Sequence, residues 1–290
     1  MPGELSQEYV VARRALLDAL DALGPQRVAV VLVGAQAIYV HTGDAGLAVA
    51  EYTTDADIAV DPFKLVEDPT LAAAMRAAGF FREESEDGPL VGIWSSLRQI
   101  SGVSAVVKVD LLIPAALGEG GRRAARIEGQ EPGSVLKVLG LEGCLVDCEP
   151  KTIAAFEADD SRSFGIMVAG PASLLVSKVI KLQEREAGAS RGRDRRKNKD
   201  ALDVLRLLRA VEVHELAAGL NLLRADELSA EVAEIAVRAL PELFGRANSS
   251  ASLMAADAVS PAESAEVIAA SCAALVGELL EAIDAAAGDA

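Results

Sequence analysis

The chain has 290 residues, is 51% hydrophobic and only 3% aromatic, and carries a formal net charge of −16. That length supports one large domain or two modest ones, each with its own core. The charge excludes a protein that coats nucleic acid over its whole surface, though not a local basic patch. No run of about 18 apolar residues exists. The start "MPGELSQEYVVARRALL" lacks the charged, apolar and small-residue order of a signal peptide, so we expect a cytoplasmic protein without a membrane span. The cysteines Cys144, Cys148 and Cys272 are sparse and odd in number, which fits reduced thiols better than a disulfide framework. Cys144 and Cys148 lack the second Cys or His pair of a four-ligand zinc site.

In chain order, "SQEYVVARRALLDALDALG" repeats apolar residues at helical spacing and stops at Gly24. "RVAVVLVG" reads as a buried strand that turns at Gly34 into the short helix "AQAIYVHTG". The strand "DADIAVD" follows, and then a helix in "DPTLAAAMRAAG" that we expect Asp68 and Pro69 to open. Residues 91–97 predict a strand, and "SAVVKVDLLIP" predicts another, halted by Pro114. Residues 115–163 are broken by Gly, Pro and charge, and we expect a small helix or two and at most one strand there. "FGIMVAGPASLLVSKVIKLQERE" reads as a strand, a Gly-Pro turn and a long amphipathic helix begun at Pro171. "KDALDVLRLLRAV", "ADELSAEVAEIAVRALPELF" and "PAESAEVIAASCAALVGELLEAIDAA" are all helical in pattern. The fold class expected is α+β, a mixed sheet flanked by helices in residues 1–170, followed by a helical domain in residues 171–290.

The chemistry concentrates in acidic residues on apolar strands. Asp55 and Asp57 stand at i and i+2, so their side chains share one face, and Asp110 and Lys108 share a face of a second strand. Should those strands be neighbours, three carboxylates converge. Such a group suits Mg²⁺, a hard cation that completes its shell with water and substrate phosphates. The bland alternative is that Asp55 ends a strand, Asp57 faces solvent and Asp110 pairs with Lys108. Tyr39, Trp94 and Phe164 are open to base stacking or to core packing.

The order "VGAQAIYVHTG", "TTDADIAV" and a later strand with a single Asp resembles the nucleotidyltransferase superfamily that includes DNA polymerase β. "GPASLLVSKVIKLQER" with "RKNKDALDVLRLL" resembles the AbiEii-type nucleotidyltransferase toxins, in which a helical Lys precedes an Arg by seven residues and a Lys/Arg-Asp pair follows. The resemblance implies that Gly34, Ala35, Gln36 and Thr53 line a nucleotide site, and that Asp55, Asp57 and Asp110 hold Mg²⁺. Asp110 on that pattern completes the metal site or deprotonates the acceptor. It further implies that Lys178 contacts the phosphates and that Asp200 orients Lys178 or the acceptor, with Asp203 following it. Arg185 and the basic run Arg193, Arg195, Arg196, Lys197 and Lys199 would hold the acceptor.

The partners implied are an NTP, a tRNA 3′ end reached through the basic loop, and a cognate antitoxin, with the helical domain completing the active-site groove. The chain departs from the pattern where Ala35 and Gln36 replace a second Gly or Ser, and where Glu51 stands in place of an Arg. Two other readings therefore stay open: the same transfer to a small molecule or a protein side chain, and a non-catalytic fold that binds nucleotide or protein.

Overall fold

The computed structural model describes residues 5–43, 45–47, 52–86, 88–100, 102–121, 123–191 and 197–288, with side chains through residue 285. The fold is α+β. The chain forms two compact units: Met1–Ala37, Ala50–Val138 and Cys148–Ala169 make the first, and Ile38–Val49, Leu139–Asp147 and Gly170–Ala290 the second.

In the first unit, helix α1 (Gln7–Leu23) begins where the Ser6 hydroxyl accepts from the Tyr9 N–H at 3.2 Å. Its Leu16, Leu20 and Leu23, at helical spacing, are fully buried. A 3₁₀ turn at Gly24–Ala29 leads to strand β1 (Val30–Val33), all four residues buried. Helix α2 (Gly34–Thr42), of which only the residues up to Ala37 belong to this unit, follows directly, then strand β2 (Asp55–Val60).

Helix α3 (Leu71–Ala77) starts later than Asp68 and Pro69 suggested, because Thr70 is the residue that caps it: extended, it lets its hydroxyl accept from the Ala73 N–H at 3.2 Å. A small hairpin of β3 (Glu84–Ser85) and β4 (Gly88–Pro89) precedes the long strands β5 (Ile93–Ile100) and β6 (Val103–Pro114). Strands β7 (Leu136–Val138), β8 (Cys148–Ala154) and β9 (Ser163–Ala169) complete the described part of the unit.

The main sheet runs β5-β6-β2-β1-β9-β8, with β7 beside the end of β6 that β5 leaves open. β1 pairs antiparallel with β2 and parallel with β9, and β2 pairs parallel with β6. The all-apolar β1 is thus interior to the sheet, which is why it reads as a continuous run rather than an alternating one. Helix α1 packs on β2, β5, β6 and α3.

The 115–163 segment holds 3₁₀ turns at Ala115–Leu117 and Glu142–Leu145, as a reading of small helical pieces anticipates, but two strands where at most one was expected. β8 escapes sequence reading because it is the sheet's edge: only Ile153 is buried, and Pro150 sits within it, a position an edge strand tolerates.

The second unit is helical. Its main helices are α4 (Pro171–Ala189), α5 (Asn198–Ala210), α6 (Val213–Ala225), α7 (Ala230–Phe244), α8 (Ser250–Val259) and α9 (Ala265–Gly288). α4 is a common neighbour, packing on α5, α6 and α7, while α8 packs on α5 and α9. The start of α4 is fixed from a distance: Asp147 accepts from the Ser173 N–H at 2.9 Å, and the Gly170 N–H donates to the Asp147 carbonyl at 2.7 Å. None of Cys144, Cys148 and Cys272 forms a disulfide. Among the described residues no helix is long and apolar enough to cross a membrane.

Trp94 is the chain's only tryptophan, is fully buried, and donates its indole N–H to the Ser134 carbonyl at 3.0 Å. Its role is packing rather than base stacking. Trp94→Ala is expected to lower stability by about 3–5 kcal/mol through the cavity it leaves, measured by urea unfolding followed by circular dichroism.

Candidate active site

The chain turns sharply from β1 into α2 at Gly34, whose φ of +68° is one that L side chains rarely adopt. A Cβ built there would collide with the Asp57 carboxylate, so only glycine admits the approach. The approach follows from register. Val33, the last residue of β1, is paired with Asp57 of β2. The N-terminus of α2, where backbone N–H groups carry partial positive charge, therefore begins beside the Asp57 carboxylate.

Across β2 the next strand is β6, and Asp57 is in register with Asp110, while Asp55 is in register with Lys108. Residues opposed in register point to one face, so the Asp57 and Asp110 side chains stand side by side on adjacent strands, about 4.8 Å apart at the backbone. Asp110 is half-buried, and its Oδ1 is shut off from solvent. Asp55, also half-buried, opens the strand, and its Oδ1 accepts from the hydroxyl of the fully buried Thr53 at 2.6 Å. Lys108 forms an ion pair with Glu83 at 3.4 Å, and Glu83 also accepts from the Ser95 hydroxyl. That hydroxyl and, after it, Lys108 hold the Glu83 carboxyl below its ordinary value against the effect of burial.

Among the described residues no group of three or more His, Cys, Asp or Glu side chains is disposed as a ready-made metal cage. Mg²⁺ needs no such cage, since it is commonly held by one or two carboxylates with water and substrate phosphates filling the rest of its shell. The hard oxygen donors of Asp57 and Asp110, beside a turn so close that a Cβ would fill it, fit that ion.

Ala35 and Gln36, the other turn residues, are both buried. The Gln36 amide is used inside the fold: Oε1 accepts from Arg13 Nε at 2.9 Å and Nε2 donates to the Asp55 carbonyl at 3.1 Å. Arg13 has no place in the sequence motifs. Its signal is positional, a charged residue within the buried stripe of α1 that includes Tyr9, Ala12 and Leu16.

The second unit gathers the downstream motif residues. The Lys178 ammonium is buried and donates to Asp203 at 2.6 Å and to Asp200 at 3.1 Å. Lys181, at 3.3 Å, and Arg185 also pair with Asp200. Spacing makes this possible: Lys178, Lys181 and Arg185 share one face of α4, and Asp200 and Asp203 share one face of α5. Burial pushes the Asp200 carboxyl upward, but Lys178, Lys181 and Arg185 outweigh it and hold the group well below the usual carboxylate range. Lys178 thus stands in a buried ion-pair network, and Asp200 and Asp203 do more than charge a helix start. Arg206, one turn past Asp203, lies buried with its guanidinium 5.3 Å from the Tyr39 ring centre.

Of the basic run, Arg193, Arg195 and Arg196 fall outside the described residues, as does Glu51. Arg191 and Lys197 are exposed, and Lys199 is half-buried at the start of α5.

A sequence-family model described as nucleotidyltransferase matches residues 12–221, well over half of the chain. No curated protein and no solved structure matches it.

Gly34→Ala combines a left-handed backbone with a clash against Asp57, and should cost about 1–3 kcal/mol and shift the carboxylate; thermal unfolding reads the first effect and metal binding the second. Asp200→Asn should destabilise the chain by about 3 kcal/mol at pH 7, because it strips charge from the buried Lys178 and the half-buried Arg185. The folded-state pKa of Asp200 lies below the unfolded value of about 3.9, so its contribution is whole above that value and is lost as pH falls. The gap between native and variant should therefore close below about pH 4, read from denaturant midpoints at stepped pH.

Proposed function

The chain belongs to the nucleotidyltransferase family, and we propose that it transfers a nucleoside monophosphate from an NTP to an acceptor hydroxyl, with Mg²⁺ at Asp57 and Asp110. The observation that carries this reading is the register of Asp57 with Asp110 beside the Gly34 turn. Asp57 and Asp110 would hold the ion, with Asp55 at their flank. When bound, the ion neutralises phosphate charge and stabilises the pyrophosphate that leaves.

This chain's residues supply the rest. The Gly34 turn brings the α2 N-terminus near the carboxylates, and main-chain N–H groups there are suited to triphosphate oxygens. A bond forms between the acceptor oxygen and the α-phosphorus, and the bond from that phosphorus to the bridging oxygen breaks. The hydroxyl proton passes to a carboxylate, a role that suits Asp110, which is partly shielded from water.

On this reading the acceptor is the 3′ end of a tRNA, and the chain acts as a toxin held in check by an antitoxin. What supports the tRNA is the basic run with exposed Arg191 and Lys197, which suits a phosphate backbone, together with the resemblance to the AbiEii-type toxins. A net charge of −16 favours a second reading, a small hydroxylated acceptor.

The test is calorimetry of each NTP with and without Mg²⁺ on the native chain, Asp57→Asn and Asp110→Asn. We expect Mg²⁺-dependent binding of at least one NTP and a drop of at least tenfold in either variant. A folded native chain that binds no NTP sinks the reading. Incubation with α-³²P-labelled NTP and total tRNA, or with a small-molecule extract, then separates the two acceptors by where the label goes.

A further inference from the structure

We propose that Arg13 is a positioning residue for the acidic strand, acting through Gln36 on the main chain at Asp55 and so on the aim of the Asp55 and Asp57 carboxylates. This rests on the nucleotidyltransferase reading above.

Arg13 is only 5% exposed and every nitrogen of its guanidinium is used. Nε donates to Gln36 Oε1 at 2.9 Å, Nη1 to the Ala154 carbonyl at 3.1 Å and Nη2 to the Tyr9 hydroxyl at 3.1 Å. The guanidinium also lies 4.4 Å from the ring centre of Phe156, which meets Tyr9 edge to face. Held from α1, from the β8 carbonyl and from two aromatic rings, this cation has little freedom.

An arginine in a protein is always charged and only donates, so the amide atom that hydrogen-bonds it must be the oxygen. That requirement orients the Gln36 amide. With Oε1 turned to Arg13, Nε2 is the atom left to face β2, and it donates to the Asp55 carbonyl at 3.1 Å. Gln36 is 1% exposed, so its amide is held by these two bonds rather than by water. The Thr53 hydroxyl, whose single proton goes chiefly to Asp55 Oδ1 at 2.6 Å, also lies 3.3 Å from that carbonyl. The main chain is thus gripped at the first residue of β2, two residues before Asp57, whose Oδ2 occupies the space that a Cβ on residue 34 would need. A displacement of a few tenths of an ångström there moves the carboxylates against the turn.

A purely structural demand at this position would be met at least as well by an apolar side chain, since burying a cation is expensive. A fixed cation that dictates which end of an amide faces the carboxylate strand answers a different demand, the placement of charge.

Gln36→Glu separates the two. It keeps an acceptor for Arg13 and nearly the same volume, but offers no N–H to the Asp55 carbonyl. Mn²⁺ standing in for Mg²⁺ is titrated into the full chain with NTP and followed by electron paramagnetic resonance, with melting temperature recorded alongside and Asp57→Asn as the reference for a lost site. We expect Gln36→Glu to melt within a few degrees of the native chain while its Mn²⁺ dissociation constant rises about tenfold, which is about 1.4 kcal/mol. Should that variant fail to fold, Arg13→Lys is measured in the same way, because it keeps the charge and loses the fork that reaches Gln36, Ala154 and Tyr9 together.

Native Mn²⁺ affinity in a folded Gln36→Glu or Arg13→Lys chain, with Asp57→Asn defective, overturns the positioning role and leaves the functional reading standing. A native chain that binds no Mn²⁺ overturns both.

Discussion

A single β-carbon has no room between the β1–α2 turn and Asp57, and from that close approach the geometry of the acidic face follows. The turn can be that tight only because residue 34 has a positive φ and no side chain. Tightness brings the start of a helix against a carboxylate, which favours negative charge there and lowers the repulsion between Asp57 and its register partner Asp110. The parallel pairing of β2 with β6 is a further requirement. A slip of one residue would send Asp110 to the opposite face and leave Asp57 beside an apolar neighbour.

Buried charge is used in two different ways in the two units. In the helical unit, Lys178, Lys181 and Arg185 are matched by Asp200 and Asp203, a network that joins α4 to α5. Such networks add little net stability compared with apolar packing, but breaking one partner is costly, so they fix one arrangement of the two helices against others. In the sheet unit, carboxylates of β2 and β6 are brought next to each other by strand register. The Thr53 hydroxyl on Asp55 and the α2 N-terminus beside Asp57 ease that crowding, and a hard cation suits it further.

The parts of this fold that are legible in the sequence are those where one local signal dominates. β1 and β2 show as apolar runs, the Gly34 turn as a glycine between a strand and a helix, and α4 as a long amphipathic pattern behind Pro171. Period two puts Asp55 and Asp57 on one face, but that Asp110 is in register with Asp57 is a long-range fact that no local pattern carries. β8 is hidden because an edge strand with one buried residue has no hydrophobic alternation to read. The start of α3 is easily misplaced because Asp, Pro and Thr all serve at helix entries, and only the backbone conformation of Thr70 decides among them. Gln36 and Arg13 are the least legible. Gln36 is expected to face a nucleotide yet is enclosed in the fold, and Arg13 differs from the other charged residues of α1 only in falling within its buried stripe.

The departures from the superfamily pattern acquire a physical meaning in that light. Where the pattern this chain resembles carries a second Gly or a Ser, Ala35 leaves only its main chain, and Gln36 spends both ends of its amide on Arg13 and Asp55. On the proposed function, the turn of this chain would offer phosphate its backbone and helix N-terminus rather than a side chain. Backbone donors are rigid and carry no base or sugar preference, so on that proposal discrimination among nucleotides would come from residues away from the turn. The side chains of Ala35 and Gln36 are consequently poor places to seek nucleotide preference, and good places to seek the precision with which the carboxylates are held.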